Sequence, residues 1–256
     1  MIRLTTVGTG TAAPWPGRAQ SGHLIDAGSV RLLMDCGSGV STRLADLRIQ
    51  WQTITHLAIT HFHADHIVDI PTLLYAWRYG QLPPRSEPLD IIGPAGTLQL
   101  LSRFAAIFGD GLLALGFPIS VHELAPGDGL ALAEGVQLRC TKVPHTDESM
   151  AYSVEAGGRR VVYTGDTGPD EALGAWANGC DLLLAECSLP ETMAIATHLT
   201  PRQCGALGAV ARPGVLALTH FYPPVEAVDI RGEVATRFDG RVVLATDGWS
   251  LDLEER

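Results

Sequence analysis

Along this chain, short apolar runs bounded by glycine, proline and polar clusters alternate with longer stretches whose apolar positions recur at helical spacing. The short runs predict strands over 2–7, 30–34, 56–59, 136–143, 151–155, 160–164 and 215–219. The longer stretches predict helices over 40–47, 67–79, 95–108, 171–177, 201–211 and 225–238. One helix start is explicit: Thr200 reads as an N-cap, Pro201 occupies the first turn and Gln203 closes a capping box. Gly157-Gly158 between two apolar runs predicts a tight β-hairpin. Strands followed by helices in both halves predict a sandwich of mixed sheets covered by helices, in the α/β (α+β) class. Segments 28–34 and 157–163 hold comparable strand-entry positions, a similarity too faint to establish a duplication. With 256 residues, 46% of them hydrophobic, and no long linker, the expectation is one domain over 1–256.

Candidate chemistry gathers where the strand over 56–59 gives way to a helix. His61-Phe62-His63-Ala64-Asp65-His66 places four potential metal ligands in one short loop. Imidazole and carboxylate suit zinc and other first-row divalent ions, and a set without thiolates argues against an iron–sulfur role. In extended backbone His61 and His63 share one side, while the turn through Asp65 and His66 can aim the next pair at a second ion. Further candidates arrive singly, each just beyond an apolar strand-like run: His145, Asp166 and His220.

These residues lie among Val7-Gly8-Thr9-Gly10-Thr11, Leu33-Met34-Asp35-Cys36-Gly37, Ile92-Gly93-Pro94, Tyr163-Thr164-Gly165-Asp166-Thr167, Leu184-Ala185-Glu186, His198-Leu199-Thr200 and Leu218-Thr219-His220-Phe221. Together they resemble the metallo-β-lactamase superfamily, and more narrowly its ribonuclease Z-type phosphodiesterase branch, through most of the chain. The resemblance implies a four-layer αββα sandwich with a dinuclear centre. It gives His61, His63 and His145 to one metal and Asp65, His66 and His220 to the other, with Asp166 as the bridge. It implies two divalent ions, zinc foremost with manganese or iron as alternatives, and a shared hydroxide that attacks phosphorus while Asp65 orients it. It also gives His198 the role of proton donor to the leaving alkoxide, Glu186 that of orienting and charging His198, and Asp35 that of supporting a metal-bound histidine.

One departure bears on substrate. Ribonuclease Z enzymes of the usual short bacterial form carry a long tRNA-gripping arm between the segments matching His145 and Asp166, and only 21 positions separate those residues here. The expected substrate is therefore a small or short-nucleotide phosphodiester rather than a large RNA. The rivals are a lactonase or thioesterase on the same fold, and ribonuclease Z-type RNA processing. Relatives of this branch often form homodimers, so the resemblance admits a homodimer, for which the sequence itself offers no interface. Trp15, Trp77, Tyr79 and Phe221 are candidates for a base-binding wall, and Arg18, Arg78, Arg85, Arg159 and Arg160 for an anion-binding cluster. The Gly8-Thr9-Gly10-Thr11 loop lacks the Gly-Lys-Ser/Thr of a P-loop, and its glycines read first as turn formers.

A formal charge of −10 with no long basic run weakens a nucleic-acid-tracking role. Cys36, Cys140, Cys180, Cys187 and Cys204 are scattered without a C-x-x-C pair, as suits a reducing compartment. No signal-peptide pattern opens the chain and no apolar run is long enough to span a membrane, so the expectation is a cytoplasmic protein without a membrane partner.

Overall fold

A computed structural model describes the backbone of residues 1–256 and every side chain except those at 110 and 113. The strands are β1 (Ile2–Gly8), β2 (Gly22–Ala27), β3 (Val30–Met34), β4 (His56–Ala58), β5 (Leu89–Pro94), β6 (Ile119–Leu124), β7 (Gly129–Ala133), β8 (Val136–Lys142), β9 (Met150–Ala156), β10 (Arg159–Tyr163), β11 (Leu182–Glu186), β12 (Val215–Thr219), β13 (Val242–Leu244) and β14 (Ser250–Leu253). They form two seven-stranded sheets, in the orders β14-β1-β2-β3-β4-β5-β6 and β13-β12-β11-β10-β9-β8-β7. The helices are α1 (Val40–Asp46), α2 (Ala64–Ile67), α3 (Ile70–Tyr79), α4 (Thr97–Phe108), α5 (Glu171–Trp176), α6 (Pro201–Ala211), α7 (Pro223–Glu226) and α8 (Ile230–Ala235).

Strands buried on both faces explain the continuous apolar runs. Val30, Leu32 and Met34 of β3 pack between the sheets against Leu182 and Leu184 of β11 and their neighbours. Leu33 turns to the outer layer, where α1, α3 and α4 cover the first sheet with Leu44, Leu74 and Leu101. On the other side Leu183 and Ala185 meet α5, α6 and α8 through Leu173, Leu207 and Val234. The result is the expected αββα sandwich.

The two sheets share a strand plan. β2 and β3 pair antiparallel, and β4, β5 and β6 then add in parallel. β9 and β10 likewise pair antiparallel before β11, β12 and β13 add in parallel. Segments 28–34 and 157–163 thus enter β3 and β10 at matching places. The β9–β10 hairpin turns through Gly157 and Gly158 with φ of 55° and 70°, the positive values a two-residue hairpin loop requires.

Several expectations change. The helix over 67–79 is two pieces, α2 and α3, because Pro71 starts a new helix and the Asp69 backbone N–H leaves the helical ladder for Cys36 O at 3.0 Å. The helix over 225–238 divides into α7 and α8, where Asp229 caps the second by accepting from Gly232 N at 3.0 Å. β2, β5, β6, β7, β11, β13 and β14 lie outside the predicted strands; β6, β7, β13 and β14 are half-exposed, all four of them at sheet edges, and lack the apolar run of a core strand. The capping box forms as read, with Gln203 Oε1 accepting from Thr200 N at 2.9 Å. Among the described residues no helix is long and apolar enough to cross a membrane.

The chain's two ends meet at Asp247. Its carboxylate accepts from Thr9 N at 3.0 Å, Thr9 Oγ1 at 2.6 Å and Ala19 N at 2.7 Å, and pairs with Arg43 Nε at 3.1 Å. Asp247→Ala should lower the denaturant midpoint of unfolding by leaving backbone donors unpaired, at about 1–3 kcal/mol for each buried one. An unchanged midpoint would remove this carboxylate from the account of stability.

Candidate metal and catalytic centre

The candidate residues converge because they follow strands that end on one edge of the sandwich. His61 and His63 follow β4, Asp65 and His66 stand on α2, and His145, Asp166 and His220 follow β8, β10 and β12. Glu186 closes β11 and His198 immediately precedes the cap of α6. Asp35 and His220 adopt φ of 59°, a left-handed conformation uncommon outside glycine and often found at functional sites. Two glycines permit close approach. A Cβ on Gly37 would meet Asp65 O at 1.9 Å, and one on Gly168 would meet Ala196 O at 1.8 Å, in the segment leading to His198.

The side chains form two overlapping sets. His61, His63, His145 and Asp166 each present a ligand atom within 4.8 Å of the others, and so do Asp65, His66, Asp166 and His220. Asp166 belongs to both. The first set opens to solvent through His63, whereas all four members of the second are buried. In four of the five imidazoles of the two sets Nδ1 is occupied from behind: His66 by Asp35 Oδ2 at 2.7 Å, His145 by Thr197 O at 2.8 Å, His61 by Thr60 Oγ1 at 3.0 Å and His220 by Ser188 Oγ at 2.9 Å. Nε2 of each then faces the centre.

What faces the centre is lone pairs. His61 Nε2, His66 Nε2 and Asp166 Oδ1 are buried and have no hydrogen-bond partner. His66 Nε2 lies 3.2 Å from Asp166 Oδ1, a salt-bridge distance, yet the pair does not meet the angular requirement of a hydrogen bond. His63 Nδ1 and His145 Nε2 confront each other at 3.0 Å. Unpaired buried atoms of this kind cost about 1–3 kcal/mol each, and a cation within each set satisfies all of them at once. The nitrogen and oxygen donors therefore fit a pair of divalent cations. Burial, reinforced by neighbouring imidazoles, holds the His61 pKa well below the ordinary histidine value, which favours the neutral ligand form. Burial opposes ionisation of Asp166, but His220 and His66 outweigh it and hold the carboxyl well below its usual range.

At the rim stands a separate pair. His198 Nδ1 lies 3.1 Å from both oxygens of the buried Glu186 carboxylate. Glu186 also accepts from Thr167 N, Leu199 N and Ser188 Oγ. With its oxygens so engaged, Glu186 is poorly placed to join His198 and His220 as a third metal set, although the three are close enough. Burial disfavours the His198 imidazolium, but the hydrogen bond and charge of Glu186, with Asp166 and Asp65, raise the pKa above the ordinary value.

Other candidates are not brought here. Trp77 and Phe221 are core residues, Phe221 with the Arg18 guanidinium 4.7 Å above its ring, so neither lines a base-binding wall. Tyr79 and Trp15 are exposed, Tyr79 at the far end of α3. The arginines do not form an anion cluster: Arg85 donates to Ile54 O at 2.8 Å, Arg18 pairs with Glu226, Arg159 with Asp181, and Arg160 donates to Trp176 O at 2.7 Å. In the glycine loop Thr9 N goes to Asp247 and Gly10 N to Ala19 O at 2.8 Å, so these donors are spent internally, as turn formers would be. The sequence reading missed Ser188, Thr60 and Tyr163, whose hydroxyl donates to Asp35 Oδ2 at 2.9 Å, and also Tyr222, whose ring lies 6.0 Å from His198 and 5.9 Å from His220. It also missed His23, which burial, helped by His66 and His220, pushes down to about 3 and so keeps neutral. Serine and tyrosine beside a motif are too common to signal such roles.

Comparison with known proteins gives a consistent picture. Residues 30–221 match a family described as "Beta-lactamase superfamily domain". A curated ribonuclease Z from Mycobacterium sp. (strain KMS) is 31% identical over 272 residues, covering 96% of this chain and 94% of that protein. The metallo-beta-lactamase fold protein YhfI from Bacillus subtilis superposes with a TM-score of 0.84 at 26% identity, covering 98% of each chain. Human tRNase Z, short form, gives a TM-score of 0.81 at 25% identity, over 98% of this chain and 99% of its own.

Elemental analysis of purified protein saturated with zinc, manganese or iron should find two ions per chain, and fewer than two would contradict a two-set centre. Asp166→Ala should reduce occupancy of both sets, whereas His145→Ala should weaken mainly one.

Proposed function

The chain belongs to the β-lactamase superfamily and is a ribonuclease Z-like, metal-dependent hydrolase, and on that footing we propose that it is a dinuclear phosphodiesterase acting on a small or short nucleotide-type phosphodiester. His61, His63 and His145 would hold one ion and Asp65, His66 and His220 the other, with Asp166 shared between them; zinc is the first choice for these donors, manganese and iron the alternatives. Bound there, two divalent cations would activate water and neutralise charge on the phosphoryl group. The observation that carries the reading is the His198–Glu186 pair beside two ligand sets that share one carboxylate.

The chain's own groups divide the work. Asp65 Oδ2, 3.3 Å from His220 Nε2, is an acceptor at the centre that can orient the attacking water. His198 holds Nδ1 against Glu186 and keeps Nε2 free, so that Nε2 can deliver a proton to the leaving alkoxide as the phosphorus–oxygen bond breaks. Glu186 stabilises the imidazolium before transfer and orients the ring throughout. A dedicated donor of this kind suits an alkoxide leaving group more than a thiolate, which favours a phosphodiester over a thioester; a lactone also expels an alkoxide and is separated by the substrate panel.

Small substrates are favoured by the surroundings. The interval between His145 and Asp166 is the β9–β10 hairpin and its short entry loop, with no projecting arm. The loop that follows His145 contributes Asp147 and Glu148 to a depression of about 500 Å³, also lined by Glu123 and Asp128, whose acidic side chains would repel a polyanionic backbone. Ribonuclease Z-type RNA processing stays as the second reading because curated relatives with that name match over nearly their whole length. A panel of bis-p-nitrophenyl phosphate, cyclic nucleotides, short RNA, precursor tRNA, lactones and thioesters, run on protein of measured metal content, separates these readings. Short phosphodiesters should be the best substrates; correct 3′ processing of precursor tRNA at higher efficiency would favour the second reading, and a preference for lactones or thioesters would displace both.

His198→Ala should lower turnover by roughly 10²–10⁴-fold while both ions are retained. Esters of p-nitrophenol, which leave without protonation, should lose less than esters of a ribose alkoxide. Equal losses on both, or loss of metal, would make His198 a ligand or a structural residue instead.

A further inference from the structure

We propose that Ser188 is a positioning residue that sets the orientation of His220 toward the metal centre and couples it, through Glu186, to the proton donor His198; this rests on the reading of His220 as a ligand. Ser188 is fully buried and follows β11 two residues after Glu186. Its hydroxyl donates to Glu186 Oε2 and lies 2.9 Å from His220 Nδ1. A serine hydroxyl has one proton, and a carboxylate surrounded by N–H donors only accepts. With that proton committed to Glu186, Ser188 Oγ presents a lone pair to His220, so Nδ1 carries the imidazole proton. His220 Nε2 is then a bare lone pair, 3.3 Å from Asp65 Oδ2 and 3.4 Å from Asp166 Oδ1. Three acceptors facing one another are a ready seat for a cation.

The first sheet contains the same device. Asp35 receives His66 Nδ1 directly at 2.7 Å, and reaches His61 through Thr60, whose Oγ1 donates to Asp35 Oδ2 at 2.9 Å and lies 3.0 Å from His61 Nδ1. Glu186 receives His198 directly and reaches His220 through Ser188. Each buried carboxylate thus serves two imidazoles, one by contact and one through a hydroxyl. In the first sheet both imidazoles are candidate ligands, whereas in the second one is a ligand and the other the proton donor. The hold on the second ion and the orientation of the proton donor therefore pass through one group.

The test uses the metal-loaded protein. Chelator competition reads the affinity of each ion, and ¹⁵N–¹H spectra read the imidazole protons, in the wild type and in Ser188→Ala, Ser188→Thr and His220→Ala. The wild type should show a slowly exchanging proton on His220 Nδ1. Ser188→Ala should weaken one of the two ions by about 10–100-fold and speed exchange of that proton, and Ser188→Thr, which keeps the hydroxyl, should recover both. A His220 proton on Nε2 in the wild type would overturn the relay whether or not any variant folds. So would unchanged affinity and exchange in Ser188→Ala while His220→Ala loses an ion, an outcome that leaves the ligand reading standing. Retention of both ions in His220→Ala would sink the ligand reading, and the relay with it.

Discussion

The structure is organised around a requirement that several imidazoles hold one nitrogen against a fixed outward partner and turn the other nitrogen to a common point. An imidazole left to itself exchanges between tautomers and rotates about two bonds. Here that freedom is removed from behind, by Asp35, Thr60, Thr197 O and Ser188. The main chain holds both sides of these contacts: Thr60 N donates to Asp35 Oδ1 at 2.8 Å, while Ser21 N and Cys36 N fix the backbone of Asp65 and His66 by donating to Asp65 O at 3.1 Å and His66 O at 2.7 Å. Rigid sheets supply the frame on which such contacts can be made within tenths of an ångström.

The chemistry was legible in the sequence where it was local. Four ligand-type residues in a single loop cannot be mistaken for core histidines, and His145, Asp166 and His220 could be found because each ends an apolar run. The grouping of these residues and the roles proposed for His198 and Glu186 came through family resemblance, since no spacing rule joins residues 12 positions apart across a strand end and a loop. Ser188 and Thr60 stayed invisible because a hydroxyl acquires its role only from partners brought by the fold; Ser188 and His220 are 32 positions apart. The left-handed backbone at Asp35 and His220 also has no signature, since neither residue is glycine.

The fold itself was legible in its interior and obscure at its margins. Runs such as 30–34 and 215–219 are apolar on both faces and read as strands without context. Edge strands such as β7 and β14 are half-exposed, and their pairing is decided by neighbours rather than by their own pattern. The expected base-binding aromatics failed for a related reason: periodicity says that Trp77 faces inward but not whether inward means core or cleft. It is core, with its indole N–H donating to Trp51 O at 3.0 Å.

The converging residues come from both halves of the sandwich. His61, His63, Asp65 and His66 belong to the first sheet and its connections, whereas His145, Asp166 and His220 belong to the second. Any ion held by either set therefore bridges two layers whose contact is otherwise mainly apolar, with a few hydrogen bonds such as Tyr163 to Asp35 beside the centre. Such an ion acts as a reversible cross-link, and its free-energy contribution grows with the logarithm of its activity, by about 1.4 kcal/mol for each tenfold rise above the dissociation constant. The resistance of this protein to unfolding is consequently not a fixed property of its sequence. It is a function of the metal supply around it, so the same chain is a looser molecule where that supply is poor.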